Sequence, residues 1–174
     1  AVADTALIVA QALMTGLQGE LRDRILGATA HVYVWKTGGL EDYHPEVSKL
    51  RQVAGVVGAG PAILGRALIS TERADAFISL KGIDPTLEGD VTDIKRTMQQ
   101  GSIDRLIPAT EDELPGILIG RNLAEQLGVG VGDSATMVTP QGTLTPMGMI
   151  PRARRVRVAG IYSLGLYEFD AAYG

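Results

Sequence analysis

The chain has 174 residues, 16 Lys+Arg against 20 Asp+Glu, a net charge of −4 and no cysteine. Disulfide scaffolds, thiolate zinc sites and cysteine nucleophiles are therefore excluded, and no global basic field advertises nucleic acid. Apolar residues make up 45%, which excludes a disordered chain and supplies a real core, yet no apolar run of about 18 residues is present to span a bilayer.

Residues 6–14, Ala-Leu-Ile-Val-Ala-Gln-Ala-Leu-Met, are apolar except for Gln11. At about 1.5 Å per residue they reach roughly 14 Å, half a hydrocarbon core, and no basic stretch precedes them as in a signal peptide. Met14, Leu17, Leu21 and Ile25 then follow a spacing of three, four and four, with polar residues between them. This predicts an amphipathic helix ending at Gly27. Two readings stay open: the outer end of a transmembrane helix leaving the bilayer, or an ordinary helix whose first turns are buried.

Ala30 to Trp35 is β-rich and predicts a strand, with His31 as a structural histidine within it. A polar turn over 36–43 leads through Pro45 into a short helix over 45–53. Residues 61–70 and 75–82 read as strands, the second closed by Ile83-Asp84-Pro85. The charged stretch 86–114 gives no clear element. Residues 116–119 predict a buried strand, 121–127 a helix and 128–133 a turn. Strands at 134–139 and 155–162 are expected to pair, with 140–154 between them. The order of elements suggests a compact α+β sandwich.

Familiar catalytic motifs are missing. Neither glycine cluster, 55–65 or 128–132, contains Gly-x-Gly-x-x-Gly, and there is no phosphate-binding loop and no Gly-x-Ser-x-Gly elbow. His44 lies near Glu41, Asp42 and Glu46, a set that suits a capped, solvated turn better than a cation site. Arg152, Arg154, Arg155 and Arg157 form the one basic cluster. On a strand the first two face one way and the last two the other. They suit either an acidic protein partner or a sheet edge protected by charge. Nucleic acid fits less well, because no aromatic platform is interleaved.

Pro140 to Pro151 reads Pro-Gln-Gly-Thr-Leu-Thr-Pro-Met-Gly-Met-Ile-Pro, uncharged throughout, with Leu144, Met147, Met149 and Ile150 as its larger apolar side chains. Proline fixes φ and removes ladder donors, so the segment is expected to be a loop or a protruding hairpin rather than a central strand. Its apolar side chains either fold back onto the body or project as a tip. Methionine suits projection, since a flexible thioether adapts to an uneven apolar surface.

Five short motifs, in order along residues 16–170, carry a family resemblance. They are Gly16-Leu-Gln-Gly-Glu-Leu-Arg-Asp-Arg-Ile-Leu-Gly27 with His31-Val32, and Leu80-Lys-Gly-Ile-Asp-Pro85. Then come Gly120-Arg-Asn-Leu-Ala-Glu-Gln-Leu-Gly128 with Gly132-Asp133, and Thr145-Pro-Met-Gly148 with Ile150-Pro151. The last is Gly160-Ile-Tyr162 with Gly165-Leu-Tyr-Glu-Phe-Asp170. The chain resembles the periplasmic domain of the lipoprotein-releasing permeases, the LolC/LolE family within the MacB-like ABC-transporter permeases, and is closer to the LolC type by its Thr-Pro-Met-Gly motif.

That resemblance implies an α+β fold: a Porter-like α/β sandwich with an inserted β-rich Sabre-like part, preceded by a long N-terminal helix. Residues 1–27 would be the end of the first transmembrane helix and its periplasmic extension, and 28–85 Porter-like. Residues 86–160 would be the Sabre-like insert, and 161–174 a return to the Porter-like part, which in the family runs on further. It implies a non-catalytic domain without a cofactor of its own, ATP being bound by a cytoplasmic ATPase subunit, LolD. The work implied is release of outer-membrane lipoproteins from the inner membrane and their transfer to the periplasmic chaperone LolA. A second permease subunit, LolE-type or an identical copy, completes the set of partners.

Residue by residue, the resemblance makes Pro140–Pro151 a chaperone-binding hook that includes Leu144, Thr145, Pro146, Met147, Gly148, Met149 and Ile150. Arg152, Arg154 and Arg155 would form a basic pad, with Ala153 where the LolC pattern has a polar residue. Met14, Leu17 and Leu21 would face the lipoprotein. The competing readings are a MacB-like permease exporting a peptide or drug, and a nucleic-acid module built on the arginines.

Overall fold

A computed structural model describes residues 2–145 and 148–174, without the side chains of 2–4, 21, 23, 24, 141–150 and 168. Helix α1 covers Val2–Ala28, and α2 covers His44–Arg51. Strands β1 (Ala62–Ser70) and β2 (Asp75–Ile83) form an antiparallel hairpin. The charged stretch folds as a 3-10 turn at Glu88–Asp90, helix α3 (Ile94–Thr97), strand β3 (Met98–Gly101) and a second 3-10 turn at Ile103–Leu106. Then follow β4 (Gly116–Gly120), α4 (Arg121–Leu127), β5 (Ser134–Thr145), β6 (Gly148–Tyr162) and α5 (Tyr167–Ala172). The architecture is mixed α+β, as the order of elements suggested.

All six strands join in one sheet, ordered β2-β1-β5-β6-β3, with β4 parallel to β6. The sheet crosses residue 85, so β1 and β2 pair into the same sheet as the strands that follow. Alternation along β6 sorts its residues between two layers. Val156 and Val158 join Ile69, Ile78, Ile119 and Ala135 beneath Leu123 and Leu127 of α4. Ala159 lies in a smaller cluster with Ile103, Leu118 and Tyr162. Leu123 and Leu127 stand four apart on one helix face and are fully buried, which contributes about 2–3 kcal/mol each.

Helix α1 departs from one sequence alternative. Its early turns are not buried: Leu7 is 68% and Ile8 66% exposed. Among the described residues no helix is long and apolar enough to cross a membrane. The strand expected at Ala30–Trp35 does not form, and His31 is exposed outside any strand. β-propensity is realised only where a neighbouring strand supplies hydrogen bonds and a packed face, and no strand pairs with this segment among the described residues. Val32, Val34 and Trp35 are left 75%, 64% and 76% exposed.

Burial, reinforced by the negative charge of Asp170, raises the pKa of Tyr162 well above the ordinary tyrosine value. Its hydroxyl donates to the Tyr173 carbonyl at 3.2 Å. The unfolded chain releases this proton near pH 10 while the folded one keeps it, so stability is intact below that pH and falls above it. Tyr162→Phe should flatten the decline of Tm between pH 8 and about 10.5, measured by thermal melts of both proteins. An equal decline in the variant assigns the alkaline loss to other groups.

Candidate functional site

β5 and β6 stay paired after the sheet has ended. β1 accompanies β5 only where Leu68–Ser70 meet Thr136–Val138, so from Thr139 outward the two strands pair, among the described residues, only with each other. The ladder passes from Thr139↔Arg152 to Thr143↔Ile150, Leu144↔Met149 and Thr145↔Gly148. Between the first two pairs, Pro140, Gln141 and Gly142 face Pro151 alone. Three residues against one make a bulge, and it falls where each strand carries a proline with no N–H to offer. The uncharged segment is thus a two-stranded arm with its irregularity at the base.

Pro140 and Pro151 are exposed at that base. Pro146 and Met147 lie outside the described residues. For Leu144, Thr145, Gly148, Met149 and Ile150 the backbone pairing is described and the side chains are not. Whether the tip side chains project therefore falls outside the described residues.

The arginines follow the arm along β6. Arg152 and Arg154 share the face of Val156 and Val158 but lie beyond the cover of α4, and both are exposed. Among the described residues neither guanidinium has an ionic or hydrogen-bonded partner. Arg155 points to the other face, where its Nη2 donates to Ser134 Oγ at 3.1 Å. Arg157, on that same face, pairs with Glu113 at 2.7 Å and is mostly buried. Two arginines are thus free to meet an anionic surface, one is partly engaged, and the fourth is structural.

On α1, Met14 and Leu17 are 61% and 57% exposed, and the side chain of Leu21 lies outside the described residues. The turn at His44 is closed locally by Asp42, while Tyr43, the N-cap of α2, makes no side-chain cap bond. Asp42 Oδ1 accepts from the His44 backbone N–H at 3.0 Å and lies 2.9 Å from its Nδ1. These bonds hold the Asp42 carboxyl below its ordinary range. Among the described residues no cluster of His and acidic groups could hold a metal.

Residues 1–172 match the model of the MacB-like periplasmic core domain. The chain belongs to that family. Within it, the chain is 37% identical over 167 residues to the lipoprotein-releasing system transmembrane protein LolC of Xylella fastidiosa (strain Temecula1), covering 95% of this chain and 39% of the relative. The LolC of Neisseria meningitidis serogroup B is 32% identical over the same share of each chain. The LolE of Haemophilus influenzae is 23% identical over 163 residues, 91% of this chain and 38% of the relative. The chain spans about two fifths of the length of these curated relatives.

Several motifs of this MacB-like domain prove to be architectural. Asp84 closes the turn after β2 by accepting from the Thr86 hydroxyl at 2.6 Å, the Thr86 N–H at 2.9 Å and the Tyr43 hydroxyl at 2.9 Å, which lowers its pKa. Gly120 admits the backbone of Asp170 where a Cβ would collide with its carbonyl oxygen. Gly128 ends α4 in the left-handed region at φ 65°, where side chains are disfavoured.

Sequence reasoning missed the cluster Lys81–Glu88–Thr92. Lys81 Nζ lies 2.6 Å from Glu88 Oε1, and Thr92 Oγ1 donates to the same oxygen at 2.9 Å. Glu88 is 3% exposed, and its i,i+4 spacing to Thr92 was the available signal.

Proposed function

We propose that this domain is the periplasmic part of a LolC-type ABC-transporter permease of the inner membrane, which releases outer-membrane lipoproteins and passes them to the chaperone LolA. The observation that carries the reading is the arm beyond Thr139, which among the described residues pairs only with itself and is flanked by Arg152 and Arg154 without a partner. The similarity to the LolC proteins of Xylella fastidiosa and Neisseria meningitidis supports it. The domain is a non-catalytic transporter component, and ATP is bound and hydrolysed by a separate cytoplasmic subunit of the LolD kind. A LolE-type subunit or an identical copy completes the permease. In this scheme residues 28–85 and 161–174 form the Porter-like part and 86–160 the Sabre-like part. Met14, Leu17 and Leu21 of α1 face the lipoprotein.

The arm's apolar residues, Leu144, Met147, Met149 and Ile150, insert into the chaperone's lipid-binding face, while Arg152, Arg154 and Arg155 orient it. Burying two or three such side chains contributes roughly 1.5–3 kcal/mol each before ordering costs, which suits a transient handover. Met147→Asp places a charge in that apolar contact and should weaken LolA binding at least about tenfold in a titration. Arg152→Glu with Arg154→Glu should slow association and reduce its salt dependence. Undiminished LolA binding by Met147→Asp rejects the arm as the contact.

A further inference from the structure

We propose that the bulge at Pro140–Gly142 against Pro151 is a hinge, about which the outer ribbon, 143–145 paired with 148–150, pivots as a unit relative to the sheet. This concerns the mechanics of the arm and holds whatever partner the arm meets.

Three observations carry it. First, the ladder is interrupted at one place only: pairing is in register from Ser134↔Arg157 to Thr139↔Arg152 and again from Thr143↔Ile150 to Thr145↔Gly148. Second, the interruption coincides with a proline on each strand, so neither Pro140 nor Pro151 can donate a ladder hydrogen bond there. Gly142, in the excess residues, adds backbone freedom that no other residue type offers. Third, among the described residues no further strand crosses this point. β1 leaves β5 at Val138, and β4 meets β6 only from Arg157 onward. The outer ribbon is therefore joined to the domain through two chain segments with few hydrogen bonds between them, and such units open and move at low free-energy cost. By contrast, the inner part of the hairpin is held by β1 on one side and buries Ala135 and Val156 beneath it.

Prolines narrow their own φ, and a bulge can fix a bend as well as permit one. The test separates the two. The chain has no cysteine, so Thr145→Cys with Glu125→Cys on the exposed face of α4 gives one spin-label pair without background. Electron-electron resonance then reads the distance between ribbon and body. A hinge predicts a broad distribution. Deleting Gln141 and Gly142 together with Pro140→Thr and Pro151→Val restores a continuous ladder. Because two residues are removed, every side chain beyond keeps its face. In this variant the distribution should narrow by about half. Pro151→Val alone, which restores one donor without changing length, should narrow it partially and serves if the deletion fails to fold. A distribution already narrow in the parent pair overturns the hinge in favour of a fixed bend. A distribution equally broad after repair overturns the bulge as the pivot. LolA titration on the repaired variant is read separately, so failure of the chaperone reading does not touch this result.

Discussion

Asp170→Ala should lower stability by about 3 kcal/mol, a Tm drop of roughly 6–12 °C for a chain of this length. Asp170 is 1% exposed, and its carboxylate accepts three hydrogen bonds within a few residues of itself. Oδ1 takes the Leu164 N–H at 2.8 Å, and Oδ2 takes the Ser163 hydroxyl at 2.9 Å and the Gly165 N–H at 3.2 Å. Alanine leaves a hydroxyl and two backbone donors without their acceptor; Ser163 and Leu164 are half-buried while Gly165 is exposed, so the desolvation cost falls chiefly on the first two. Asp170→Asn keeps the shape and one acceptor oxygen but turns an N–H₂ toward the remaining donors, so it should fall between the two. Calorimetry or urea titration of the three proteins orders them. Parity of the alanine variant with the parent would mean that water satisfies the Ser163 and Leu164 donors as well as the Asp170 carboxylate does. The same carboxylate contributes to the raised pKa of Tyr162, so Asp170→Ala should also soften the alkaline loss described above.

The strands and helices with strong periodic patterns were legible in the sequence. Residues 121–127 were expected as a helix and form α4, because Leu123 and Leu127 repeat at helical spacing and a glycine stands on either side. The pairing of 134–139 with 155–162 appears as the inner part of β5 and β6, though with Thr139 opposite Arg152. Residues 30–35 failed for a physical reason: their composition is that of a strand, but among the described residues no strand pairs with them to supply hydrogen bonds and a packed face. The 3-10 turns of 86–114 were opaque because short elements of this kind are held by tertiary partners, here Lys81 and Thr92 around Glu88. At the candidate site, the prolines announced a departure from regular sheet, and the uncharged run marked the arm. They did not reveal that ladder pairing would reach Thr145↔Gly148, since pairing beyond two prolines depends on a two-residue excess on one strand only. The face each arginine takes was legible from period two, whereas its pairing was not. Glu113, which engages Arg157, lies 44 positions earlier in the chain.

Lys81→Met should be the more damaging of two ways to remove the buried ion pair. Glu88 is 3% exposed while the Lys81 side chain retains 22% exposure, so the carboxylate is the partner that cannot turn to water. Removing the ammonium leaves Glu88 with the Thr92 hydroxyl at 2.9 Å as its remaining side-chain donor, and an uncompensated buried charge costs about 3–5 kcal/mol. Removing both, as Lys81→Met with Glu88→Leu, takes away the charge that needed compensation, and the double variant should recover most of that loss. The double-mutant cycle therefore predicts strong coupling, with Lys81→Met large, Glu88→Leu smaller because Lys81 can still reach solvent, and the pair close to the parent. Additive losses would place Lys81 in water and the stability of this turn in Asp84 and Pro85 instead. The arm should be indifferent to the outcome. Glu88 packs at the far end of β2, two strands away from β5 in the sheet order, so the backbone pairing of the arm in the folded fraction should be unchanged in all three variants.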